Sequence, residues 1–127
     1  MNTKLIMTIS ALFLGALGLS LSFLPNEINA LLNTTPNTVS TLFLQLLSAV
    51  YLGFAMMNWM AKGTLIGGIY NRPIAIGNFM HFMVGTFALI KVLNHIDMYK
   101  GFIIGLTVVY ALFAICFAYI FRTNPVK

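Results

Sequence analysis

LIMTISALFLGALGLSLSFL, residues 5–24, is a run of twenty residues without a single charge. As a helix rising 1.5 Å per residue it reaches about 30 Å, the thickness of a bilayer's hydrocarbon core. Apolar and polar positions do not alternate along it, so it does not suit a barrel strand, and a helix is the form that satisfies its backbone in lipid. Lys4 gives it the basic flank of a secretory signal. The run is nevertheless longer than a signal's apolar core, and no small-x-small cleavage site follows. It therefore reads as a retained membrane anchor, closed by Pro25.

The same reading applies three more times, over residues 41–61, 74–93 and 101–121. Between the first two runs lies a polar segment, Asn26–Ser40, in which Ile28, Leu31 and Leu32 can form a short turn on the membrane surface. Next comes KGTLIGGIYNRP, residues 62–73, whose three glycines, Asn71 and Pro73 mark a re-entry turn. Pro73 suits the first turn of the third span, where its missing N–H would be unpaired anyway. Asn94–Lys100 is a short loop, and Arg122–Lys127 a tail. Only 7% of the 127 residues are charged and 60% are hydrophobic, whereas soluble domains carry roughly 25% charged residues. The fold expected is all-α: an integral membrane four-helix bundle of sequential antiparallel spans, forming a single transmembrane domain over residues 1–127.

A net charge of +5 would suggest nucleic acid in a soluble domain, but here the positives stand singly at span ends. Membrane lipids, not nucleic acid, are the expected partners, together with a second copy or a partner membrane protein. With the N-terminus inside, Lys4, Lys62, Arg72, Arg122 and Lys127 fall on the cytoplasmic side, and Lys91 and Lys100 outside. Five against two predicts an inner-membrane protein with both termini cytoplasmic. Trp59, Tyr70, Tyr99 and Tyr119 fall near the expected interfaces, whereas Tyr51 lies mid-span. Cys116 is the only cysteine, which rules out an intramolecular disulfide or a thiolate cluster within the chain.

In lipid, helices meet through close packing and polar contacts. Ala11, Gly15, Gly18 and Ser22 form a small-residue seam on the first span. Gly101 and Gly105, then Ala111, Ala114 and Ala118, do the same on the fourth. Internal packing is the first expectation for both seams, and dimerisation the second. Amides and ionisable groups within a span usually face the bundle interior. Asn78 and His81 share a face of the third span, Gly85 continues it, and Asn58 enters the second span to a similar depth. An Asn58–Asn78–His81 cluster near the cytoplasmic side is therefore expected, either as an interhelical clamp or as a ligand, proton or headgroup site. Gln45, with Ser48 one turn on, is a further candidate for bonding to the first or third span. Lys91 lies near an outer end and can snorkel, with Asp97 and Lys100 nearby. Arg72 and Lys62 flank the re-entry turn as candidates for anionic lipid headgroups. No metal site is expected, because His95 is too far along the helix to join His81 on one ion, and no cofactor is expected.

The segment NWMAKGTLIGGIYNRPIAIGNFMHF, residues 58–82, together with the four spans, resembles small four-helix bacterial inner-membrane proteins. That family carries no agreed activity, so the resemblance brings no catalytic residue. Better-known four-helix families differ at their motifs. Small multidrug transporters need an acidic residue in the first span, and quinone-linked disulfide enzymes need paired cysteines. Fluoride channels need a Gly-Arg motif near the first span and a Thr/Phe-rich third one. Membrane glutathione enzymes need a basic and acidic cytoplasmic motif. The expected function is a non-enzymatic accessory bundle that binds lipid or a partner helix. The alternative is a small transporter or channel, alone or as a dimer, using the polar residues of spans two and three. An enzyme with His81 as acid or base ranks third, since Glu27 and Asp97 are the only carboxylic side chains and both lie in loops.

Overall fold

A computed structural model describes residues 2–31, 35, 37–64, 71–95 and 99–123. Every regular element among them is helical: α1 Thr3–Phe23, α2 Pro25–Leu31, α3 Thr38–Ala61, α4 Arg72–Leu93 and α5 Lys100–Arg122. Four of the five are long and apolar enough to cross a membrane. The chain thus has the expected class, all-α with the four long apolar helices of a membrane four-helix bundle. Each helix begins one to three residues before its apolar run, because polar residues complete the first turn outside the hydrocarbon. Gly67, Gly68 and Tyr70 of the re-entry turn, together with Leu32, Asp97 and Lys127, lie outside the described residues.

The ends of these helices follow from local chemistry. Pro25 opens α2 where a missing N–H costs nothing, so the surface turn expected around Ile28 is a seven-residue helix. At α3, Asn37 is extended (φ −135°, ψ 162°) and accepts from the Ser40 N–H at 2.7 Å, while the Ser40 Oγ accepts from the Asn37 N–H at 3.2 Å. This is a capping box built with serine. Pro73 sits in the first turn of α4, and the Asn71 amide donates to Thr64 Oγ1 at 3.2 Å, tying together the two sides of the 65–70 segment.

The chain packs as two compact units, residues 7–62 and residues 63–127 with 1–6. In the first unit α1 and α3 run antiparallel. Ser10 meets Asn58, Gly15 meets Ala55, and Gly18 meets Leu52 and Ser48, so position rises on one helix as it falls on the other. In the second unit α4 and α5 do the same, with Arg72 near Phe121, Phe82 against Phe113 and Phe117, and Gly85 against Tyr110.

Burial is arranged as a bilayer requires. Leu12, Phe43, Met60, Phe102 and Ile115 are each at least 60% exposed, whereas Ser10, Asn58, Ala75 and Asn78 are completely buried. In water such an apolar exterior would aggregate. In lipid it is solvated, and Ser10, Asn58 and Asn78 turn inward because hydrocarbon offers them no hydrogen bonds.

Candidate functional site

The small-residue seam of α1 supplies the geometry of the first unit. A Cβ at Gly18 would fall 2.8 Å from Leu52 Cγ and 3.2 Å from the Leu52 backbone nitrogen, and one at Gly15 would touch Ala55 Cβ at 3.7 Å. Only glycine permits the first of these approaches. Two hydrogen bonds flank it. The Asn58 amide donates to Ser10 Oγ at 3.1 Å, and Ser10 Oγ donates onward to the Met7 carbonyl at 3.0 Å. Eight residues further along α1, about 12 Å by helical rise, Ser48 Oγ donates to the Gly18 carbonyl at 2.8 Å. The α1–α3 contact is thus pinned at both ends by polar bonds that never leave the interior.

In the second unit the centre is Phe82, wholly buried. Its ring stacks on Phe113 (centroids 4.8 Å apart, 26° between planes) and on Phe117 (5.8 Å, 9°), and meets Tyr110 edge-on at 5.2 Å. Tyr110 lies where a Cβ on Gly85 would be, within 2.5–2.7 Å of its ring carbons. Asn78 is fully buried, and its amide donates to the Ile74 carbonyl one turn back at 2.9 Å. His81 is half-buried, with its ring 5.1 Å from that of Phe82 and 5.8 Å from that of Tyr110. Thr86 and Thr107 return their hydroxyls to their own helices, at Phe82 and Ile103, both at 2.7 Å.

The structure therefore brings Asn78 and His81 to one stretch of α4 beside the aromatic cluster. Asn58 belongs to the other unit and bonds there to Ser10. Ser48 bonds to the first span, but its neighbour Gln45 is exposed. Gln45 lines an open groove with Asn26, Asn37, Thr38, Thr41 and Leu42. Lys91 is exposed at the end of α4. Lys62 Nζ sits 2.9 Å from the centroid of the Trp59 ring, and the guanidinium carbon of Arg72 lies 5.9 Å from the centroid of Phe121. Both cations are thus held beside aromatic faces at helix ends.

Comparison with protein-family models, curated proteins and solved structures finds no match. Function must be argued from these contacts themselves. Among the described residues no group of three or more His, Cys, Asp or Glu side chains could hold a metal ion. Two participants were not evident from the sequence. Ser10 stands one position off the seam, and it is one of four hydroxyls in the first apolar run, with Thr8, Ser20 and Ser22, set apart only by standing eight residues before Gly18. The aromatic cluster had a clearer signal, since Tyr110, Phe113 and Phe117 recur at spacings of three and four on one face of α5.

Proposed function

We propose that this chain is a non-enzymatic accessory bundle of a bacterial inner membrane, with both termini in the cytoplasm, that binds lipid or a partner membrane helix. The observation that carries the reading is the use made of the buried polar groups. Asn58, Ser10, Ser48 and Asn78 direct their hydrogen bonds to neighbouring helices or to their own helix backbone, as a scaffold does when polar groups act as interhelical glue. Lys62 in one unit and Arg72 in the other each supply a lipid contact of their own: a cation braced on an aromatic ring at a helix end offers its remaining donors to an anionic headgroup.

Cysteine accessibility tests the reading. Single cysteines at positions 58 and 78, in a Cys116→Ala background, are expected to resist a membrane-impermeant maleimide added from either side. Modification at both would reveal a water-filled path and favour the transporter reading instead. For the lipid contact, Lys62→Gln with Arg72→Gln is expected to lower retention of phosphatidylglycerol in native mass spectrometry. Unchanged retention would remove those two residues from the proposal.

A further inference from the structure

The open groove at the N-terminal end of α3 points to a second lipid site of different selectivity. Its volume is about 530 Å³, and among the described residues its lining is three amides, two threonines and Leu42, with no charged residue. Thr38, Thr41 and Gln45 follow one another at spacings of three and four, so they form one stripe down α3. Asn26 joins them from α2, which packs against α3. From Thr38 to Gln45 the stripe descends about 10 Å by helical rise. The polar interface of a bilayer is about 5–8 Å deep on each side, so the stripe crosses from headgroup depth into the start of the hydrocarbon. Gln45 is exposed there, and an amide facing bare hydrocarbon is costly unless something accepts and donates to it.

We propose that this groove seats the headgroup and glycerol-ester region of one zwitterionic phospholipid, with an acyl chain passing over Leu42. Ester carbonyls lie at the depth of Gln45 and accept from its amide. The phosphate is met by amide and hydroxyl donors instead of a cation. Within the unit that holds the groove, residues 7–62, the only basic side chain is Lys62, and it lies at the opposite end of α3, about 30 Å away by helical rise. Glu27 is exposed in α2 beside Asn26, where it disfavours a purely anionic headgroup and favours an ammonium. The site shares with the proposed function only the membrane embedding. Its lipid preference is the reverse of that expected at Lys62 and Arg72.

Native mass spectrometry of the full chain, released from vesicles of equal phosphatidylethanolamine and phosphatidylglycerol, tests it. Thr41→Val with Gln45→Leu is expected to reduce phosphatidylethanolamine retention about threefold to tenfold, the worth of one or two hydrogen bonds, and to leave phosphatidylglycerol unchanged. Equal retention of phosphatidylethanolamine by variant and wild type overturns the proposal, and so does a loss confined to phosphatidylglycerol. Glu27→Gln leaves the groove lining intact and is expected to shift the retained ratio toward phosphatidylglycerol, so the proposal is tested even if the double variant folds poorly. An unmoved ratio counts against it. Glycerophosphoethanolamine, the headgroup without chains, is expected not to compete. Displacement of the lipid by it would assign the groove to a soluble ligand and overturn the lipid reading. Loss of phosphatidylglycerol on changing Lys62 and Arg72 is a separate result that bears only on those two residues.

Discussion

Asn58 presents an amide to Ser10, and Ser10 in turn donates to the Met7 carbonyl, so removing either side chain strands part of the chain of bonds in an apolar interior. Asn58→Leu and Ser10→Ala are each expected to destabilise by about 1 kcal/mol, with a double-mutant coupling of about 0.6–1.7 kcal/mol, the range for interhelical bonds in membranes. Reversible unfolding in mixed micelles measures this, and a coupling near zero would mean that the contact contributes no specific energy. Glycine gives a second comparison, because identical substitutions meet different surroundings. Alanine at Gly85 would drive its Cβ into the Tyr110 ring, and at Gly18 into Leu52, whereas at Gly53 it would meet nothing within 4 Å. Gly85→Ala and Gly18→Ala are expected to cost about 1–3 kcal/mol by overpacking. Gly53→Ala is expected to be neutral or to gain up to about 1 kcal/mol from helix propensity. Equal effects at the three positions would refute the packing account.

Pairs of helices depend on these residues unequally. The α1–α3 contact is built on small residues and hydroxyls, whereas α4–α5 is built on stacked rings around Phe82. Phe82→Ala is therefore expected to open a cavity between α4 and α5 and cost about 3–5 kcal/mol, while Phe82→Leu costs much less because it keeps most of the volume. Thermal unfolding in detergent ranks the two, and equal losses would show that the ring's bulk is not what matters. This contrast also marks what the sequence could disclose. Long apolar runs must become helices in lipid, so the four spans were legible to within three residues at either end, and the α1 seam was legible because its residues recur at spacings of three and four. The partner of Asn58 was not legible. Helical phase places a residue on a face, but choosing Ser10 on another helix requires the register between α1 and α3, and that is set by how deeply Gly18 lets Leu52 approach. Gln45 illustrates the converse. An amide inside an apolar run is expected to turn inward, yet it faces a groove whose wall includes Asn26 of α2, and nothing in the periodicity of α3 announces that second helix.

At the scale of the whole molecule the governing quantity is the division of basic residues between the two sides of the membrane. The proposed orientation leaves Lys4, Lys62, Arg72, Arg122 and Lys127 inside against Lys91 and Lys100 outside, and short flanking segments are where such a bias decides insertion. A reporter fused after Lys127 is expected to remain cytoplasmic, and a periplasmic reporter would overturn the orientation. The bias itself can then be removed. Lys62→Gln with Arg72→Gln leaves three basic residues inside, and adding Glu27→Lys raises the outside number to three. With three against three there is no remaining preference, so this triple variant is expected to insert both ways, with the terminal reporter divided between compartments. Since α2 and the first turn of α3 carry no cation of their own, the lysine introduced by Glu27→Lys adds a positive charge where that connection has none and acts on it directly. A triple variant that stayed wholly N-in would show that the first span, with Lys4 ahead of it, fixes the topology by itself, and that the charges of the 62–73 connection serve lipid binding instead of orientation.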